Sequence, residues 1–104
     1  MIEKIKKMFG ITTPDYAQLL KSGAEIIDVR SKSEYAGGHI KGSKNIPVDT
    51  LENHFSKLNK DKAIITCCAS GMRSGVAKTI LQKNGFKEVY NGGGWQNLNN
   101  KITL

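Results

Sequence analysis

The feature that most constrains this chain is a junction. The apolar run Ala63-Ile64-Ile65-Thr66-Cys67 leads into Cys68, passes through Ala69-Ser70-Gly71-Met72-Arg73, and meets a helix-forming stretch at Ser74-Gly75-Val76-Ala77. A short β-rich run followed closely by glycine and then by helical periodicity fits a buried strand that hands the chain to a helix. Cys68 then lies at the strand end, where backbone amides curl and the positive end of the helix points. Such a field holds a thiolate below the free thiol pKa of about 8.5.

The rest of the chain repeats this alternation. Thr13-Pro14-Asp15 before Tyr16, Ala17, Leu19 and Leu20, with Gly23 beyond, predicts a capped helix with proline at its first position. Glu25-Ile26-Ile27-Asp28-Val29 reads as a buried strand ending in Arg30, and Ser31-Lys32-Ser33-Glu34 as a capping box whose helix stops at Gly37-Gly38. A turn from His39 to Ser43 leads to a brief strand around Asn45-Ile46-Pro47. Asp49 or Thr50 caps a helix carrying Leu51, Phe55 and Leu58. After the strand from Ala63 to Cys67, Ser74 or Gly75 opens a helix that Gly85 closes. Lys87-Glu88-Val89-Tyr90 is the last strand, Gly92-Gly93-Gly94 a tight turn, and a final helix starts at Trp95. Strands alternating with helices predict an α/β fold with a parallel sheet, whose working site lies beyond the carboxyl ends of the strands.

At 104 residues the chain supports one domain, with residues 1–10 as an N-terminal extension and 11–104 as the domain. The formal charge of +7 comes from lysines scattered along the whole chain, so no nucleic-acid stripe forms. The excess attracts small anions or an acidic partner, or is simply solvated surface. No apolar run approaches the roughly 18 to 20 residues of a membrane span. Ile2, Ile5, Met8 and Phe9 at helical spacing suit either a short packed helix or weak surface contact with a membrane. Adjacent Cys67 and Cys68 cannot staple a loop, and a reducing, cytoplasmic location is expected.

Taken together, Ile27-Asp28-Val29-Arg30 with Glu34-Tyr35, Gly38-His39-Ile40 to Gly42 with Asn45-Ile46-Pro47, Cys68 through Ser74, and Gly85-Phe86 with Val89-Tyr90, Gly92-Gly93 and Trp95 resemble a single-domain rhodanese over residues 11 to 98. The resemblance implies a five-stranded parallel sheet flanked by helices on both faces. It also implies a sulfurtransferase in which Cys68 takes a sulfane sulfur from thiosulfate or a persulfide donor. Cys68 would then pass it to cyanide or a thiol, a protein thiol included, in two half-reactions without metal or organic cofactor. Ala69, Ser70, Gly71, Met72, Arg73 and Ser74 form the anion-binding loop, with inward amides from Ala69 to Ser74. Arg73 is expected to brace the loop against Glu34 or Asp28, Asp28 to organise the site, and Arg30 to add positive potential or pair with an acid. His39 holds a turn, His54 lies on the surface, and Trp95 covers core or pocket. Family members that use thiosulfate well often carry arginine or lysine after the cysteine; here Ala69 stands there, which favours a persulfide donor.

Two rival readings use the same loop. A cysteine-loop phosphatase or arsenate reductase needs five residues between nucleophile and arginine. That spacing runs from Cys67 to Arg73, whereas only four residues separate Cys68 from Arg73. In that register Thr66 precedes the cysteine where tyrosine phosphatases carry histidine. The other rival is a non-enzymatic sulfur carrier or interaction module. Strand alternation turns Cys67 away from Cys68, as a small core residue or a second redox thiol.

Overall fold

The computed structural model describes residues 14–103. The N-terminal extension, its spaced apolar residues and Thr13 lie outside the described residues. The elements, in chain order, are α1 (Tyr16–Lys21), β1 (Glu25–Asp28), α2 (Lys32–Ala36), β2 (Lys44–Asn45), a 3-10 helix (Val48–Lys57), β3 (Ile64–Cys68), α3 (Met72–Lys83), β4 (Val89–Gly94) and α4 (Trp95–Ile102). All strand pairs are parallel, in the order β2-β1-β3-β4. The expected α/β architecture is therefore present, with four strands among the described residues rather than five. The sequence between residues 14 and 103 offers four β-rich runs, and the fifth strand is implied by the family resemblance alone.

β3 is central, and all five of its residues are buried. Alternation along it feeds two cores. Ile64 and Cys68 join Ile27, Val29, Leu51, Leu81 and Phe86 under α3 and the 3-10 helix, whereas Ile65 and Cys67 join Tyr16, Ile26, Ile40 and Leu98 under α1 and α4. Fully burying one such aliphatic side chain contributes roughly 1.5–3 kcal/mol, so each face is a substantial clamp on the strand.

Several boundaries differ from expectation for identifiable reasons. Asp15 caps α1, its carboxylate accepting from the Gln18 amide at 3.1 Å, so Pro14 lies before the helix rather than at its first position. The capping box at Ser31 and Glu34 is formed. The helix expected from Asp49 or Thr50 is a 3-10 segment opened by Pro47 without a side-chain cap, although Leu51 and Leu58 are buried as anticipated. β2 begins at Lys44 and its pairing extends beyond Pro47, because the Ile46 and Val48 amides still reach Asp28 and Val29 carbonyls at 3.0 and 3.1 Å.

The three glycines are not a turn. They lie in β4, where Thr66 pairs with Asn91 but Cys68 with Gly94, so β4 carries one extra residue beside the cysteine. Gly93 absorbs this bulge at φ +80°. A Cβ on Gly92 would stand 2.8 Å from the Thr66 carbonyl oxygen and 2.9 Å from Leu98, so only glycine fits between β3 and α4.

Candidate active site

β3 ends on Cys68 at the carboxyl edge of the sheet, and α3 begins four residues later at Met72. The helix therefore starts earlier than Ser74 or Gly75. Its N-cap, Gly71, has no side chain to offer, and sits at φ +106° where other residues are strained. Cys68 Sγ takes the capping position instead. It accepts the Gly71 amide at 3.0 Å and the Ser74 amide, the third of the helix, at 3.4 Å. A sulfur thus occupies the place where an N-cap oxygen normally satisfies orphan amides.

This geometry decides the thiol's acidity. Burial of Cys68 works to push it up, but the Ser74 hydroxyl and the amides of Ser74, Gly71 and Ser70 outweigh burial and hold it below the ordinary value. Of the amides from Ala69 to Ser74 expected to face inward, those of Gly71 and Ser74 donate to the sulfur. Ser74 is fully buried, with Oγ 3.4 Å from Cys68 Sγ. Ala69 and Ser70 are exposed at the loop tip, and Met72 is 81% exposed.

Cys67 behaves differently. Its thiol is buried in the opposite core, and burial first, then the nearby Asp28 carboxylate, push it up to about 12 against a smaller lowering by Arg30. Both cysteines are free. The five-residue register counted from Cys67 therefore begins on a thiol that faces away from the loop.

The supporting residues form two braces. Arg73 makes a two-pronged pair with Glu34, Nη1 to Oε1 at 2.7 Å and Nη2 to Oε2 at 2.9 Å, tying the loop to α2. The Arg73 guanidinium first, and the Ser31 amide second, hold the Glu34 carboxyl down to about 2. Asp28 is not the partner of Arg73. Its fully buried carboxylate is taken by Arg30, whose Nη2 donates at 2.7 Å both to it and to the Gly38 carbonyl. Arg30 also lies 4.9 Å over the Trp95 ring, so its charge is spent on packing α2 and α4 to the sheet. His39 holds its turn through Nδ1, 2.7 Å from the Tyr35 carbonyl. His54 is not plain surface: it lines a cleft of about 590 Å³ with Lys32, Asn45, Thr50 and Arg73.

Two contributors carried no signal in the sequence. The buried Thr66 hydroxyl donates to the Ser74 carbonyl at 2.9 Å, anchoring the first turn of α3 to β3. Asn91 on β4 contacts Ser74, Gly71 and Gly93. Its separation of 17 residues from Ser74 hides it from any local motif. Among the described residues no cluster of three metal-ligating side chains is present, and no helix is long and apolar enough to cross a membrane.

The chain is similar to known proteins in sequence and in fold. The family described as Rhodanese-like domain matches residues 12–101. The Bacillus subtilis protein YqhL is 41% identical over 80 residues, covering 76% of this chain and 64% of its own length, so the chain spans somewhat under two thirds of that relative. A thiosulfate sulfurtransferase, GlpE of Ectopseudomonas mendocina, is 35% identical over 79% of this chain and 76% of its own. Among solved structures, an Escherichia coli rhodanese with anions superposes with a TM-score of 0.68 at 32% identity, over 71% of this chain and 89% of that one.

Proposed function

Because the chain belongs to the rhodanese-like domain family, we propose that it transfers sulfane sulfur through a persulfide on Cys68. The observation that carries this reading is the cysteine sulfur standing as the cap of α3, held by the Gly71 and Ser74 amides. A site that stabilises negative sulfur before reaction is equally suited to the persulfide anion after it.

In the first half-reaction the Cys68 thiolate attacks the outer sulfur of thiosulfate or of a persulfide. The donor S–S bond breaks, and sulfite or a thiolate leaves with the electron pair. In the second, an acceptor thiolate or cyanide attacks the outer sulfur of Cys68 persulfide, and the Cys68 thiolate is the leaving group. No net oxidant is consumed, and the two steps give ping-pong kinetics. The low acidity threshold of Cys68 serves both, since a more acidic thiol also leaves faster.

One further observation favours a protein-borne or low-molecular persulfide over thiosulfate. The loop tip presents Ala69, Ser70 and Met72, none of them charged, while Arg73 is engaged by Glu34. A dianion gains little there beyond amides. Met72 and Val76, 81% and 55% exposed and one helical turn apart, instead offer an apolar shoulder on the first turns of α3.

The deciding experiment incubates the protein with thiosulfate, and separately with a persulfide donor, and reads intact mass. Gain of one sulfur atom that persists in Cys67→Ser and vanishes in Cys68→Ser is expected. No gain with any donor, together with hydrolysis of a phosphotyrosine analogue, would replace this reading by the phosphatase one.

A further inference from the structure

The buried Ser74 hydroxyl has one proton and three acceptors around it. Asn91 Oδ1 is at 2.6 Å, the Gly71 carbonyl at 3.1 Å and Cys68 Sγ at 3.4 Å. The Asn91 amide can take only one orientation here. Its Nδ2 donates to the Gly71 carbonyl at 3.2 Å, and its Oδ1 accepts the Gly93 amide at 2.9 Å. A flipped amide would set oxygen against oxygen at Gly71 and N–H against N–H at Gly93. Asn91 Oδ1 is therefore a fixed acceptor aimed at Ser74. Two glycines permit this arrangement: Gly93 takes φ +80° at the β4 bulge, and Gly75 in the first turn of α3 leaves room, since a Cβ there would stand 3.2 Å from Asn91 Nδ2. A glycine inside a helix costs about 1 kcal/mol relative to alanine, so its presence at that contact has a reason.

We infer that Asn91 is a positioning residue that competes with Cys68 for the single hydroxyl proton of Ser74 and thereby sets how readily the thiolate forms. With Cys68 as a neutral thiol, S–H donates to Ser74 Oγ and the hydroxyl donates to Asn91 Oδ1, so every group in the row is satisfied. When the thiol loses its proton, the hydroxyl turns to Sγ and gives up the Asn91 bond; Asn91 is exposed, and water replaces it. Once Sγ is bonded to a second sulfur it no longer carries the charge, and the hydroxyl returns to Asn91. The residue thus favours the neutral Sγ of the thiol and of the persulfide over the thiolate. Its significance for catalysis rests on the sulfurtransferase reading, but the proton competition itself does not.

The test is the pH midpoint of Cys68 alkylation by iodoacetamide, followed by mass spectrometry on the full chain. Asn91→Ala removes the competitor and should lower the midpoint, speeding alkylation roughly threefold to tenfold below it, the worth of one hydrogen bond. Asn91→Asp keeps the acceptor, adds charge and should raise the midpoint. Both variants lose the Nδ2 contact to Gly71, so a residue that merely braces the loop would move both in the same direction. In a Ser74→Ala background the effect of Asn91→Ala should vanish. Shifts of one sign, no shift, or a shift that survives without Ser74 would each overturn the inference. If Asn91→Ala does not fold, Asn91→Thr, too short to reach Ser74, replaces it with the same expected sign. Sulfur loading of the wild-type chain is measured in parallel. Opposite shifts without loading would remove the sulfurtransferase reading and leave the competition standing, while loading without opposite shifts would do the reverse.

Discussion

Cys67 and Cys68 carry the same side chain on the same strand and are joined by one peptide bond, and the fold shifts their thiols in opposite directions. Cys67 turns into the core under α1 and α4, where burial pushes its thiol up to about 12. Cys68 turns toward α3 and is also almost wholly covered, at 1% exposed, yet its thiol is held below the ordinary value. Burial alone therefore does not decide reactivity. What differs is the supply of donors: one face offers side-chain hydrocarbon and an acid, the other two orphan amides and a hydroxyl at the start of a helix. A single peptide plane separates a thiol pushed up from a thiol held down because strand alternation sorts them to different layers.

The most direct way to break this contrast is to label both thiols in the folded protein. A thiol held below its ordinary value and one pushed up to about 12 differ by at least about a thousandfold in thiolate at any pH below both. Iodoacetamide near neutral pH should modify Cys68 and spare Cys67, with both modified after unfolding in guanidinium. Fragment spectra of the peptide holding both residues report the ratio, and comparable labelling in the native state would contradict the assignment of faces.

Next in size is the buried pair on the Cys67 side. Arg30→Met leaves the Asp28 carboxylate uncompensated beneath the sheet, and breaking such a pair costs about 3–5 kcal/mol. A denaturant titration should show that loss. It should also leave Cys67 no easier to label below the unfolding transition, because Arg30 is the group that lowers its pKa.

On the Cys68 side, Gly71→Val forces a β-branched residue into a left-handed conformation at about 1–3 kcal/mol. Because Gly71 also supplies the 3.0 Å amide, the pH midpoint of Cys68 alkylation should rise and sulfur loading should fall. Loading at the wild-type level would show that the amide cradle is not what activates the sulfur.

How much of this was legible in the sequence follows from how local each cause is. The central strand, expected from Ala63 to Cys67 and found one residue on at Ile64–Cys68, the alternation that hides Cys67, the capping box at Ser31 and the glycine at position 71 are all set within a few residues, and each appears in the structure. α3 starts earlier than Ser74 or Gly75 because its capping atom is a sulfur four residues before Met72, which no capping motif describes. The bulge resembles a turn in the sequence because three glycines look alike in a string, whereas only pairing with β3 shows where the extra residue falls. Arg73 had two acids within reach of argument; Asp28 was excluded only by the buried geometry that commits it to Arg30. Thr66 and Asn91 act across strands, so their roles exist only after the sheet has formed.

The smallest expected effect belongs to the outer brace. Glu34 and Arg73 are 37% and 38% exposed, so solvent screens their pair. The Glu34 carboxyl is nevertheless held down to about 2 in the fold, against 4.5 as an ordinary carboxyl. Above about pH 4.5 both folded and unfolded chains carry the charge, and the contribution of the pair is fully present. Between 4.5 and 2 the unfolded chain takes up a proton that the folded one refuses, so the contribution drains as pH falls, and below 2 it is gone. The difference in Tm between wild type and Glu34→Gln should therefore be flat from pH 7 to 4.5 and shrink toward zero near pH 2. It should also shrink in high salt, unlike the loss in Arg30→Met, which sits out of reach of ions. A difference that widens on acidification would mean that Glu34 is not the anchor of Arg73, and the tie between α2 and the cysteine loop would have to be sought elsewhere.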